Sequence, residues 1–355
     1  MVSTVVRRSW KPATTDMFTL AVDVMGGDLG PRVALRACRN LLRQRSDIRL
    51  IVAVTAVVAA EAGRLLGRSA RVQLLICSDQ VDMNDKPSRV LRGGLNSTMA
   101  AAINEVREQR AQAVLSVGNT GALMALSRHL LGTLPGIDRP ALATLLPTRG
   151  KPLLMLDLGA NLSVSSGQLV QFAALGWSWS RLQRGGNPSV GLLNVGREAT
   201  KGTDCVRNAD QQLRALLGDD YHGFCEGDDL YRGELDVLVT DGFAGNIVLK
   251  ASEGLSEWLL ELLQQEFRHH WLRRWLAPLW LLAIRRIEQR ISPARHGGAL
   301  LLGVNGVVIK THGKSDARAF RHALRYVLQQ LEQHNAAALS DSLQMLQSRL
   351  NSVNE

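Results

Sequence analysis

The sequence predicts an α/β fold built on a mainly parallel sheet with helices on both faces. Short, near-continuous apolar runs rich in β-branched residues recur along the chain, and longer stretches of helical periodicity separate most of them. Strands that read as unbroken apolar runs are buried on both sides, which an alternating β and α order supplies. Composition agrees: 46% hydrophobic and 21% charged residues describe a globular chain, and 355 residues suit about two domains or one large α/β unit.

In chain order, strands are expected at Phe18 to Val24, Arg49 to Val54, Val72 to Cys77, Ala113 to Val117, Leu142 to Leu146, Leu153 to Leu158, Val190 to Val195 and Leu235 to Thr240. A long helical pattern opens after Gly245 and runs toward His270. Pro278, which lacks a backbone donor, should break or kink the helix near that point. The expected organisation is a disordered or artefactual extension over 1–16, an α/β domain over 17–340 with a helical hairpin inserted at 258–291, and a tail over 341–355.

The formal net charge of +10 arises from 42 Lys and Arg against 32 Asp and Glu, a balance that attracts acidic partners. The excess is local. Arg268 to Arg290 holds six arginines against Glu288 alone, and Trp258, Trp271, Trp275 and Trp280 fall within or beside it. Tryptophan beside arginine is a membrane-surface pattern, and with no nucleic-acid motif alongside, nucleic acid is not an expected partner. The apolar core Trp275 to Ile284 has ten residues, whereas a spanning helix needs about 20. The hairpin is therefore expected to lie on anionic lipid through Trp271, Arg273, Arg274, Trp275, Trp280, Arg285 and Arg286, or to pack against a second subunit. Both are compatible in an oligomer. Arg7 and Arg8 are followed by Asp16 and Asp23 in place of a clean apolar run, so no secretory signal is read and a cytoplasmic location is expected. Cys38, Cys77, Cys205 and Cys225 are far apart, without metal-ligand spacing, and read as reduced thiols with no metal site.

In an open parallel sheet, ligands bind beyond the carboxyl ends of the strands. Those ends are unusual here: Asp23 to Asp28, Ser116 to Gly121, Asp157 to Asn161, Asn194 to Gly202 and Asp241 to Asn246 all combine Gly with Asn or Asp. Glycine admits close backbone approach, and amides opening the next helix can hold an anion, so a phosphate-sized ligand fits. One such turn is ordinary turn chemistry; five on one edge favour a site. Gly313-Lys314-Ser315 imitates the end of a P-loop, but Val308 stands where its first glycine belongs. Met25 to Pro31 does not supply the dinucleotide fingerprint, and Asp28 sits where a pyrophosphate would come closest. A nucleophile elbow is absent as well.

At these residues the chain resembles the bacterial acyl-acyl carrier protein:phosphate acyltransferases of phospholipid synthesis. The resemblance runs from about Phe18 to about Gln330, through Ala21 to Asp28, Ser116 to Leu123, Gly136 to Ala141, Asp157 to Asn161, Leu192 to Gly202, Val239 to Lys250 and Ile309 to Gly313. It implies a Rossmann-like fold related to isopropylmalate dehydrogenase and phosphotransacetylase, a homodimer, no cofactor, and peripheral attachment to the inner face of the cell membrane. It implies acyl carrier protein and inorganic phosphate as substrates, with a downstream glycerol-3-phosphate acyltransferase as a further partner. Residue by residue, the family's important lysine falls on Lys201 and its asparagine on Asn246. Asp23, Gly26, Gly27, Gly118, Asn119, Thr120, Gly121, Asn161, Glu198, Asp241, Gly245 and His312 match other motif positions, expected around substrate or phosphate. Leu162-Ser163 replaces the family's usual Val-Asp, which puts a charge-based role there in doubt, and Ser97-Thr98-Met99 and His296 also depart from the pattern.

The chemistry expected is attack of phosphate on a thioester, with Lys201 holding the dianion and Asn246 and nearby amides stabilising the oxyanion. Glu198 or His312 would orient Lys201 or assist proton movement. The rival readings are a dehydrogenase on the related fold, opposed by the missing nucleotide fingerprint, and a membrane scaffold that binds acyl carrier protein without catalysis.

Overall fold

The computed structural model describes residues 17–268, 287, 298–333 and 339–346. The expected extension over 1–16 and the hairpin residues Trp271, Arg273, Arg274, Trp275, Trp280, Arg285 and Arg286 lie outside the described residues.

The strands are β1 Phe18–Asp23, β2 Ile48–Thr55, β3 Val72–Cys77, β4 Ala113–Ser116, β5 Ala141–Leu146, β6 Leu153–Leu156, β7 Val190–Leu193, β8 Tyr221–Cys225, β9 Val237–Val239, β10 Ala299–Leu302 and β11 Val307–Lys310. The helices are α1 Pro31–Gln44, α2 Ala56–Leu66, α3 Pro87–Gly93, α4 Thr98–Arg107, α5 Thr120–Leu131, α6 Ser166–Arg184, α7 Asp204–Leu217, α8 Gly242–Arg268 and α9 Ala317–Gln333. All eight expected strands are present, and the α/β alternation is that of the predicted class. β8, β10 and β11 were not expected as strands.

The chain divides into two compact units, the first Met1–Ala143 with Gly297–Ser348 and the second Thr144–His296 with Arg349–Glu355. In the first unit the strand order is β3-β2-β1-β4-β11-β10-β5. β3, β2, β1, β4 and β11 run parallel, while β10 is antiparallel to both β11 and β5. Leu20, Val22, Leu50, Val52 and Val114 in these strands are fully buried. The helices cover them through apolar faces: α1 turns Ala34, Leu35, Cys38, Leu41 and Leu42 inward, and α9 turns in Phe320, Leu324 and Val327. The i, i+3, i+4 spacing of these residues is why the segments fold as amphipathic helices.

The second unit orders its strands β6-β9-β7-β8, all parallel. α6 is nearly encased: Phe172, Leu175, Trp177 and Trp179 are buried, and the Trp177 indole N–H donates to Asp220 at 3.0 Å. A Ser165 and Gln168 capping box fixes where α6 begins. Among the described residues, no helix is long and apolar enough to cross a membrane.

Candidate active site

The expected site residues fall into two clusters, one at the carboxyl rim of each unit's parallel strands. The first unit holds Asp23, Gly26, Gly27, Gly118, Asn119, Thr120, Gly121 and His312; the second holds Asn161, Glu198, Lys201, Asp241, Gly245 and Asn246.

In the first unit, strand register places Asp23, Ser116 and Lys310 in one row at the ends of β1, β4 and β11. All three are buried. Ser116 Oγ donates to Asp23 Oδ2 at 2.8 Å, and the Met25 amide donates to Asp23 Oδ1 at 3.2 Å. Lys310 Nζ reaches the carbonyls of Val117, at 3.4 Å, and Thr311. Burial pushes the Asp23 carboxyl up from its ordinary 3.8 to about 6, against the opposing pull of the Ser116 hydrogen bond and the Lys310 charge. The folded protein therefore binds a proton on Asp23 over roughly pH 4 to 6 that the unfolded chain has released, and stability falls as pH rises through that interval. Asp23→Asn removes this dependence: between about pH 4 and about pH 7 the variant should gain about 2 kcal/mol relative to the native chain. Urea denaturation across that range checks it, and parallel pH profiles for the two proteins would contradict it.

Asn119 is occupied as a structural clamp. Its Oδ1 caps α5 by accepting the Ala122 amide at 3.0 Å, while its Nδ2 donates to Met83 O at 2.6 Å and Asp85 O at 3.2 Å. What this rim can offer an anion is the amides of Thr120 and Gly121 at the start of α5. The Gly118 amide is taken by Ser116 Oγ at 3.1 Å. Gly26 and Gly27 form the turn after β1, and the next residue, Asp28, donates its amide to Gly313 O at 2.9 Å. His312 is exposed and its Nδ1 accepts the Lys314 amide at 3.2 Å, which leaves the proton on Nε2.

In the second unit, β9 lies between β6 and β7, so Asp241 emerges between the loop that begins at Asp157 and the loop that begins at Asn194. With neighbouring strands about 4.8 Å apart, the two flanking loops start about 10 Å from each other. Asp157 is fully buried and organises its own loop, accepting the Asn161 amide at 2.6 Å, Asn161 Nδ2 at 3.0 Å and the Ala160 amide at 3.2 Å. Asn161 in turn accepts the Gly242 amide on its carbonyl at 2.8 Å. Asp241 caps α8 through the Ala244 amide at 2.8 Å. The Gly245 amide closes the first helical turn onto Asp241 O at 3.0 Å, so it is spent inside the helix and is not free to donate to an oxyanion. Gly245 matters sterically instead: a Cβ there would collide with the Asp157 carbonyl oxygen and sit 2.9 Å from Thr240 Cγ2. Asn246 follows on the exposed side of α8 and lies against Gly159.

The Lys201 loop is laced shut from within. Asn194 Nδ2 donates to Gly196 O at 3.0 Å and to Lys201 O at 3.2 Å, and the Lys201 amide donates to Glu198 O at 2.9 Å. Gly202, at φ 84°, fits directly against the Asn194 side chain, where any Cβ would clash. Thr203 then caps α7 through the Val206 amide at 3.3 Å. The Lys201 backbone is thus fixed while its side chain, like that of Glu198, stays exposed. Among the described residues, no group of three or more His, Cys, Asp or Glu could hold a metal ion.

Three residues that matter here lie within the motifs read from sequence but were not singled out as site residues: Asp157, Asn194 and Lys310. Each opens or closes a strand-end motif, and a charged or amide group at the last position of an apolar run is the signal that marks them.

Residues 18–338 match the model of a family described as fatty acid synthesis protein. The chain belongs to that family. A phosphate acyltransferase of Stutzerimonas stutzeri is 43% identical over 329 residues, covering 91% of this chain and 92% of that protein. One from Legionella pneumophila strain Paris is 38% identical over 328 residues, covering 92% and 96%. This member of the fatty acid synthesis protein family also shares its fold with a phosphotransacetylase from Streptococcus pyogenes, at TM-score 0.57 and 17% identity over 89% of this chain and 94% of that one. A branched-chain phosphotransacylase from Enterococcus faecalis gives 0.54 at 14% identity, over 89% and 100%.

Proposed function

We propose that this acyltransferase moves a long-chain fatty acyl group from acyl carrier protein to inorganic phosphate. The observation that carries the reading is Lys201, an exposed ammonium on a loop braced by Asn194, at the same strand rim that presents Asn246. Near-full-length likeness to phosphate acyltransferases supports it. A phosphate oxygen attacks the thioester carbonyl, the C–S bond breaks, and the carrier thiolate leaves with the proton that phosphate gives up; acyl phosphate and free carrier thiol are the products. Lys201 holds the phosphate dianion as a point charge, and the Asn246 amide donates to the oxygen that gains charge. Glu198, three residues from Lys201 and exposed like it, biases the lysine's position. Mixing the protein with palmitoyl-acyl carrier protein and phosphate, then trapping with hydroxylamine, should yield palmitoyl hydroxamate that depends on phosphate. Phosphate-independent release of free palmitate would refute the reading.

The reading extends to a cytoplasmic homodimer resting on anionic lipid and handing acyl phosphate, a hydrolysis-prone anhydride, to a glycerol-3-phosphate acyltransferase. α8 supports an assembly role: Phe243, Ile247, Leu255, Trp258, Leu259 and Leu262 form an exposed apolar stripe along it. Trp275 and Trp280 changed together to Ser should abolish co-sedimentation with phosphatidylglycerol vesicles. Undiminished binding would remove the tryptophans from membrane attachment.

A further inference from the structure

α1 and α9 pack side by side in the first unit, and their outer faces carry one sign of charge. α1 contains Arg32, Arg36, Arg39 and Arg43 with no acidic residue; α9 contains Arg318, Arg321 and Arg325, with Glu332 only in its last turn. The spacing of i, i+4, i+7 and i+11 on α1 puts its four arginines on one stripe. Nearby acids are already engaged, one of them on Arg32 of the stripe itself. Glu61 pairs with Arg32 at 2.5 Å, Asp47 and Glu332 are both held by Arg45, and Asp316 caps α9 through the Arg318 and Ala319 amides. Among the described residues, Arg36, Arg39 and Arg43 have no ion pair. A cavity of about 300 Å³ opens between the C-terminal halves of the helices, lined by Gln44, Arg45 and Arg325 together with Glu332.

We infer that this arginine face docks the acidic protein that delivers the acyl group, the carrier of the thioester. The inference rests on the acyl-transfer reading above, which requires a protein-borne donor. Charge complementarity selects an acidic partner. Lipid is disfavoured because neither helix has an exposed large apolar side chain with which to enter a bilayer surface. Placement agrees as well. Seven residues lie between β1 and α1 and six between β11 and α9, so the N-terminal arginines Arg32, Arg36, Arg318 and Arg321 stand nearest the first unit's strand rim.

Arg36, Arg39 and Arg43 changed together to Glu test the proposal in the full chain. With palmitoyl-acyl carrier protein as donor, KM should rise by about tenfold or more while KM for phosphate stays unchanged, and the steep loss of native kcat/KM with added salt should flatten. With palmitoyl pantetheine thioester, an uncharged donor without the protein, kcat/KM should be unchanged, which shows that the variant is folded and competent. An unchanged KM for the carrier-borne donor overturns the proposal, and does so decisively if binding to phosphatidylglycerol vesicles is lost instead. Equal damage with both donors also overturns it, marking the arginines as structural. Failure of the native protein to form acyl phosphate from either donor would instead sink the acyl-transfer reading itself.

Discussion

Lys201→Ala should lower kcat with palmitoyl-acyl carrier protein by about 10²–10³, the usual loss when one preorganised electrostatic contact to the reacting group is removed. The side chain is exposed and its loop is held by Asn194 through backbone carbonyls, so the substitution removes a charge without removing a brace. Stability should stay within about 0.5 kcal/mol of native. Lys201→Arg keeps the charge but not the point geometry of an ammonium, and should recover only part of the rate. Steady-state kinetics at saturating donor, with thermal unfolding in parallel, read both quantities. Native turnover in Lys201→Ala at low phosphate would take the lysine out of the mechanism.

Gly245→Ala should be the most damaging single methyl in the second unit. Its Cβ would run into the Asp157 backbone, lying 3.1 Å from that residue's carbonyl carbon and closer still to its oxygen, a wall that no side-chain rotation relieves. Relief requires moving the Asp157 to Asn161 loop or the first turn of α8, the two segments tied together by the Gly242 amide on Asn161 O at 2.8 Å. The expected cost is about 3 kcal/mol or more, with activity lost because Asn246 is the next residue. Gly254→Ala, on the same helix with open space around it, is the control and should stabilise the chain by up to about 1 kcal/mol through helix propensity alone. Chemical denaturation of the pair decides the matter, and equal stabilities would contradict the close approach.

The eight strands legible in the sequence are continuous apolar runs, most of them buried on both faces, with β3 the exception in burying only Leu75 and exposing Ile76. β10 and β11 were missed because β10 runs antiparallel and β11 follows it with no helix between, an order that no βα alternation announces. β8 was hidden by His222 and Gly223 within its five residues. The rim itself was readable because Gly with Asn or Asp recurs after five strands, where a single such turn would be ordinary. How each residue is used there was not. Asp241 and Asn119 look like ligands in sequence yet spend side-chain oxygens on helix caps, and Gly245 supplies clearance in place of an amide. These roles depend on which partner a loop meets, and that is set by packing between segments distant in the chain. Asn194, by contrast, could have been anticipated from its place at the end of β7, seven residues before Lys201.

Isothermal titration of inorganic phosphate into the native protein and into Lys201→Ala measures most directly whether phosphate is gripped by that ammonium. Saturable binding should weaken by about tenfold or more in the variant while affinity for palmitoyl-acyl carrier protein is retained. Identical phosphate affinity in the two proteins would contradict a phosphate site at Lys201.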